Sequence, residues 1–515
     1  MDNYFHCGYD GPIISVKGGK LRGFAEKGVY KFRGIQYAEA ERYMPPKEVL
    51  PWEGVKDCLA YGRIAPTIFP TQYETVDIMT GFRWWPEGED CLSLNVWTQN
   101  INDDMRRPVM VWLHGGGFFC GSSVECQAYE AENLCKDMDV VVVSLNHRLN
   151  ILGYLDLSDW GEEYYNSGNL GMQDIIAALR WVKENIHMFG GDANNITLFG
   201  QSGGGMKCTT LMQTPAADGL YNRVIIQSGV STSEAFRANH ESSTKIAAAV
   251  IKELGGIDRL RTVPFRDIKD AYLKVFPALK AAGLQMEWSP VQNDWYLGDP
   301  LVSEVTETFK KTPIIIGTCI AETLMWNKKY YDANMPEAKK LTLIRARYGD
   351  NTDRMLEYFT AAYPGKDLID LLYIESMFRN CVLDYLDLRS SISDVPIYSY
   401  MISYDYSFNG VTPSYHASEH GLVFRSYAGL PIMQEPDIEK LSDEISGAWA
   451  AFAHSGTPDH PYLPEKWKPY KKGDENTFVF DKKSALKKRY DTDMIRFMAS
   501  NCADTINLDL MKRDT

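Results

Sequence analysis

The sequence has no long apolar run. Stretches such as Val140–Val143 fall far short of the roughly 20 residues a helix needs to cross a bilayer, so no membrane partner is expected. The N-terminal MDNYFHCGYDGPII lacks a basic segment followed by an apolar one. No secretory signal is expected there, and the expected location is cytoplasmic, with secretion after processing as the alternative. The ten cysteines (7, 58, 91, 120, 126, 135, 208, 319, 381 and 502) form no C-x-x-C pair, which leaves zinc-ribbon and thioredoxin readings without support. Their irregular spacing fits reduced core thiols better than a disulfide framework. Positive charge is in deficit, with 54 Lys and Arg against 68 Asp and Glu and a net charge of −14. An acidic chain repels phosphate backbones, so nucleic acid is not an expected partner. No repeat, low-complexity tract or Gly/Ser/Pro-rich linker divides the 515 residues, and 45 % apolar with 24 % charged residues excludes disordered, collagen-like and coiled-coil classes.

Short apolar runs alternate with helical periodicity. Residues 12–24 read as two short strands about Gly18-Gly19, followed by an extended run at Val29–Ile35 and a Pro-rich loop at Pro45-Pro46. Val109–Leu113, Asp139–Leu145, Ile196–Phe199, Arg223–Gln227, Pro313–Ile316 and Pro396–Ile402 read as strands buried on both faces. Residues 171–188 carry Ile175, Leu179, Val182 and Ile186 at helical spacing, with Asp174 early and Lys183 late, as the helix dipole favours. Such alternation predicts an α/β fold, with a large, mostly parallel twisted sheet and helices on both faces. The expected organisation is one domain over 1–515, with polar helical insertions at approximately 235–285 and 327–390 that wall the active site.

Two glycine motifs follow buried strands. Gly200-Gln201-Ser202-Gly203-Gly204 is a G-x-S-x-G between the strand ITLF and a predicted helix, the setting of a nucleophile elbow. There the serine meets backbone N–H groups and a helix dipole that favour developing negative charge. His114-Gly115-Gly116-Gly117-Phe118 is an HGGG-type loop. Bare N–H groups of Gly116 and Gly117, with that of Gly203, would make a three-donor oxyanion hole, each donor worth roughly a hundredfold in rate. A nucleophilic serine needs a base and an acid, in the order Ser, acid, His for this fold. His416 and His420 in SYHASEHGLVF both qualify as base by order, and periodicity does not choose between them. Glu322, just past the strand PIII, is one of many carboxylates placed to orient an imidazole.

With these motifs in view, the chain resembles the type-B carboxylesterase and cholinesterase family of α/β-hydrolases, in particular its bacterial p-nitrobenzyl-esterase-like members. The likeness runs from Phe32-Arg33-Gly34-Ile35 to Trp467-Lys468-Pro469-Tyr470. It includes EDCLSLNVW (89–97), NHRLNILGYL (146–155), GNLGMQDIIAALRWVKENI (168–186) and FGGD (189–192). The resemblance implies an α/β-hydrolase fold and hydrolysis of small-molecule carboxylic esters through an acyl-enzyme, with no metal or organic cofactor. It implies Ser202 as nucleophile, Glu322 as acid, His416 as base in place of His420, and Gly116, Gly117 and Gly203 as oxyanion donors. Ser228 and Glu419 enter as supporting residues of the triad.

The chain also departs from the family pattern. Gln201 stands where cholinesterases carry glutamate, removing a charge that would attract a cationic substrate. Gly203 replaces the usual alanine, which is expected to leave its donor intact and loosen the turn. Cys91 has no partner cysteine in APTIFP (65–70), so the family's loop disulfide is expected to be absent. Trp84 and Trp85 would serve as an aromatic cage for quaternary ammonium or as plain apolar wall. Two rival readings accompany the esterase: a non-catalytic cholinesterase-like binding protein, which would ordinarily have lost the nucleophile or base, and an amidase, thioesterase or lactonase on the same triad. Both a monomer and a homo-oligomer fit the sequence.

Overall fold

The computed structural model describes residues 5–68, 81–230, 238–284, 288–327, 331–407 and 411–502. Its frame is an eleven-stranded sheet: β1 (Phe24–Glu26), β2 (Val29–Gln36), β3 (Ser93–Thr98), β4 (Arg107–Leu113), β5 (Val141–Leu145), β6 (Gly191–Gln201), β7 (Arg223–Gln227), β8 (Ile314–Cys319), β9 (Ile397–Ile402), β10 (Asn476–Phe480) and β11 (Ala485–Lys488). Their spatial order is β11-β10-β9-β8-β7-β6-β4-β5-β3-β2-β1. The seven strands from β5 to β10 pair in parallel, and both edges finish in antiparallel pairs. The parallel strands are rich in β-branched residues, as a sheet covered on both faces requires. Val141–Val143, Val224–Ile226 and Ile314–Ile316 are all fully buried. Ile13–Val16 pairs with Gly19–Arg22 about a turn at Lys17-Gly18 in a separate small sheet that Val55–Asp57 completes.

Four helices matter for the site: α1 (Leu170–Asn185), α2 (Gly203–Met212), α3 (Arg379–Ile392) and α4 (Ile438–Ser455). Helix α2 packs across β4, β6 and β7, α3 against β8 and β9, and α4 against β4, β6 and β10. Helix α1 stops at Asn185, short of the predicted 188, because Ile186–Phe189 tightens into a 3-10 turn closed by left-handed Gly190 (φ +73°). Asp174 is not a dipole-facing surface carboxylate. It is fully buried and takes Arg148 in a two-pronged ion pair, Nε to Oδ2 at 2.8 Å and Nη2 to Oδ1 at 2.6 Å.

The polar segment between β7 and β8 holds the helices His240–Leu254, Ile257–Thr262 and Phe265–Ala281. That between β8 and β9 holds Glu337–Tyr348, Thr352–Ala362 and α3. Residues 235–237, 285 and 328–330 of these segments, and Phe69-Pro70 of APTIFP, lie outside the described residues. Cys7, Cys58, Cys91, Cys135, Cys208, Cys319 and Cys502 are free thiols. Among the described residues no helix is long and apolar enough to cross a membrane.

Candidate active site

Strand β6 delivers the chain to Gln201, and α2 departs from Gly203. Ser202 between them sits at φ +57°, ψ −125°, a conformation costly for a side chain with a Cβ. The neighbouring strand holds it there: Ser202 N donates to Gln227 O at 2.8 Å, and the first turn of α2 closes with Met206 N to Ser202 O at 3.0 Å. Glycines are required because the backbones touch. A Cβ on Gly200 would fall 2.5 Å from Gly204 C, and one on Gly204 would fall 1.9 Å from Leu113 O.

The glycine loop leaves β4 directly beside this elbow. Gly116 and Gly117 take left-handed φ of +81° and +60°, where glycine carries no penalty. A Cβ on Gly203 would stand 2.2 Å from Gly117 O and 2.4 Å from Gly117 N. The expected loosening of the turn at Gly203 is therefore corrected: the loop has closed into the space an alanine methyl would occupy. Gln201 is buried on the same seam, with its Oε1 3.4 Å from the Cβ position of Gly115. Ser202 itself is half-buried.

Glu322 follows the C-terminal end of β8 and is fully buried. Three donors converge on it: His416 Nδ1 lies 2.5 Å from Oε2, Ser228 Oγ donates to Oε1 at 2.6 Å, and Cys319 N donates to Oε1 at 2.7 Å. Ser228 is aimed by its own left-handed backbone (φ +47°) and by its N–H to Gly317 O at 2.9 Å. His420, which order alone left as an equal candidate base and the resemblance set aside, lies elsewhere. It is buried against Trp112 and Tyr129, with ring centroids 5.6 and 5.0 Å away, and burial pushes it down to about 3. Such a ring is a neutral core side chain.

Glu419 accepts from Gln227 Nε2 at 3.2 Å and from Cys319 Sγ at 3.5 Å. Burial, with the charge of Glu322 adding to it, lifts Glu419 to about 7. Gln227 in turn accepts from Trp449 Nε1 at 3.2 Å, which ties this layer to α4. Trp85 packs edge-on against Tyr61 and donates to its carbonyl, while Trp84 lies edge-on to Phe82 and is 62 % exposed.

Two aromatic neighbours of the imidazole belong to no sequence motif. Phe378 and Trp326 both pack against His416, with centroids 5.2 and 5.0 Å away. Phe378 is placed by Glu375, whose Oε2 accepts from Phe378 N at 2.6 Å ahead of α3. Burial, with the charge of Glu322 adding to it, lifts Glu375 to about 8. Glu375 sits in the loop ahead of α3 with no motif around it, so no spacing rule reaches it. Among the described residues no three His, Cys, Asp or Glu side chains stand together as a metal site.

With this geometry in hand, similarity to known proteins is informative. The Carboxylesterase family model matches residues 10–498. The para-nitrobenzyl esterase of Bacillus subtilis (strain 168) is 30 % identical over 492 residues, covering 91 % of this chain and 94 % of the relative. The phenmedipham hydrolase of Pseudarthrobacter oxydans is 30 % identical over 495 residues, with the same coverage. An esterase of anaerobic Clostridium hathewayi, described as able to hydrolyze aliphatic aromatic polyesters, superposes with a TM-score of 0.90 at 36 % identity, covering 97 % of this chain and 99 % of that one. A PNB esterase superposes at 0.75 and 29 % identity, covering 94 % and 99 %.

Proposed function

Since this chain belongs to the carboxylesterase family and is a carboxylic ester hydrolase, we propose that it works through a Ser202–His416–Glu322 triad. The observation that carries this reading is the buried chain Ser228–Glu322–His416, with hydrogen bonds of 2.6 and 2.5 Å, beside a strained serine elbow. With Nδ1 committed to Glu322, the other ring nitrogen, Nε2, is the one free to act on Ser202. His416 takes the serine proton as Oγ attacks the ester carbonyl. The N–H groups of Gly116, Gly117 and Gly203 receive the oxyanion. His416 then protonates the leaving alcohol, and water removes the acyl group by the reverse route. Glu322 holds the productive tautomer and balances the imidazolium. The residues need no metal or organic cofactor for these steps. We read 1–515 as one domain whose helical insertions wall this site. Buried free thiols such as Cys58, Cys91, Cys135 and Cys208 support a reducing compartment such as the cytoplasm.

Esters that carry an aromatic group are the substrate class we propose. Trp326 beside His416 and Phe119 beside the glycine loop are both exposed and offer aromatic faces. Two relatives act on aromatic material by name, a para-nitrobenzyl ester and aliphatic aromatic polyesters. The test is hydrolysis of p-nitrophenyl esters from acetate to octanoate by wild type and Ser202→Ala, followed by benzyl against ethyl butyrate. Turnover by wild type, silence of the variant and preference for the benzyl ester are expected. A Ser202→Ala protein that still turns over refutes the triad. Inert wild type that also ignores a fluorophosphonate probe returns the binding-protein reading.

A further inference from the structure

Lys207 lies on α2, five residues after the nucleophile, and its side chain is fully buried. A buried ammonium is costly unless it has work to do. Its Nζ donates to His114 O at 2.8 Å, the carbonyl that leads directly into Gly115-Gly116-Gly117. That loop has no side chains of its own with which to be gripped. It lies backbone to backbone on the elbow, with the Cβ position of Gly115 3.5 Å from Ser202 Cβ and that of Gly203 2.4 Å from Gly117 N. Glu125 and Lys207 feel each other's charge. His114 and His147, stacked 5.2 Å apart, are kept neutral by burial and by the same lysine. Burial lowers Lys207 to about 7, so it stays a donor in either protonation state.

We propose that Lys207 is a positioning residue for the reaction: it ties the helix that carries Ser202 to the His114 carbonyl and so sets the register of the oxyanion loop against the nucleophile. This rests on the assignment of Gly116, Gly117 and Gly203 as oxyanion donors. Because the bond aligns donors for a charge that exists only in the transition state, losing it lowers kcat and leaves substrate binding intact.

The experiment compares wild type, Lys207→Met, Lys207→Gln and Ser202→Ala on p-nitrophenyl butyrate, with rates for the Ser202-bearing proteins expressed per site titrated by a fluorophosphonate. A trifluoromethyl ketone, whose hemiketal oxygen occupies the same donors, provides the second readout. Lys207→Met is expected to lose about 10- to 100-fold in kcat with KM close to wild type, up to but not beyond the roughly hundredfold effect of a lost oxyanion donor. The ketone should weaken by a similar factor, and Lys207→Gln, which keeps an N–H, should recover part of the loss. Wild-type kcat in Lys207→Met overturns the proposal. So does a loss explained wholly by fewer titratable sites, or failure of both variants to fold, since each assigns Lys207 to stability alone. Retained turnover in Ser202→Ala would instead refute the site assignment, which keeps the two failures apart.

Discussion

Glu322 receives three hydrogen bonds in a fully buried position, and each donor comes from a different strand end or loop. Its carboxylate is therefore aimed as well as charged. Glu322→Gln keeps the shape but can present an amide N–H to His416 Nδ1, which favours the unproductive tautomer. A fall in kcat of about ten-thousand-fold is expected, with KM little changed. Steady-state kinetics at matched thermal midpoints check this, and a variant that keeps most of its kcat refutes the role. Gly203 gives a second residue-level prediction. Its Cβ position is 2.2 Å from Gly117 O, so Gly203→Ala must push the oxyanion loop away. About a hundredfold loss of kcat is expected. Wild-type speed would mean that the loop has room to yield. At this scale the sequence told apart the elbow and the loop because chemistry demands glycine there. Order and periodicity left His416 and His420 equal and only the family resemblance preferred His416; tertiary contacts give His416 a carboxylate and His420 an aromatic pocket.

Among elements, β6, the elbow and α2 form one unit, and the strands that carry it are the legible ones. Val109–Leu113 and Arg223–Gln227 announce themselves as apolar runs. Strand β3 does not, because Ser93, Asn95 and Thr98 interrupt its apolar pattern although all six of its residues are buried. The structure explains how they are tolerated. Asn95 Oδ1 accepts from Gly34 N at 2.9 Å, and its amide donates to Ser144 Oγ at 3.0 Å. Such partners come from distant parts of the chain, so no local window reveals them. Helix α1 is likewise fastened by the Arg148–Asp174 pair, 26 residues apart. Asp174→Ala leaves the guanidinium buried without its counterion, and a loss of about 3–5 kcal/mol is expected in urea unfolding. Unfolding at the wild-type midpoint would show that the pair contributes little.

Over the whole molecule, several buried carboxyls hold their protons near neutrality. Burial lifts Glu375 to about 8, and Asp370 and Glu419 to about 7. Each binds a proton in the folded chain at pH values where the unfolded chain has released it. Their contribution to stability is therefore complete below the ordinary carboxyl range and is lost as pH rises towards 8. His420, lowered to about 3, acts with the opposite sign and costs stability as pH falls below the ordinary imidazole range. Glu375→Gln removes one term of the first kind. Relative to this variant, wild type should lose thermal stability between pH 5 and pH 8, and an equal difference at both pH values would refute the assignment.

The sequence by itself determined the alternation of strands and helices, the elbow and the glycine loop. Those features rest on local rules: burial periodicity, and glycine where backbones must touch or turn. Only the tertiary structure decided that His420 is a core side chain, that Asp174 is a core ion partner, and that Lys207 grips the loop from behind. Each of these depends on desolvation and on contacts between residues far apart in the chain, and neither quantity is carried by any short window of residues.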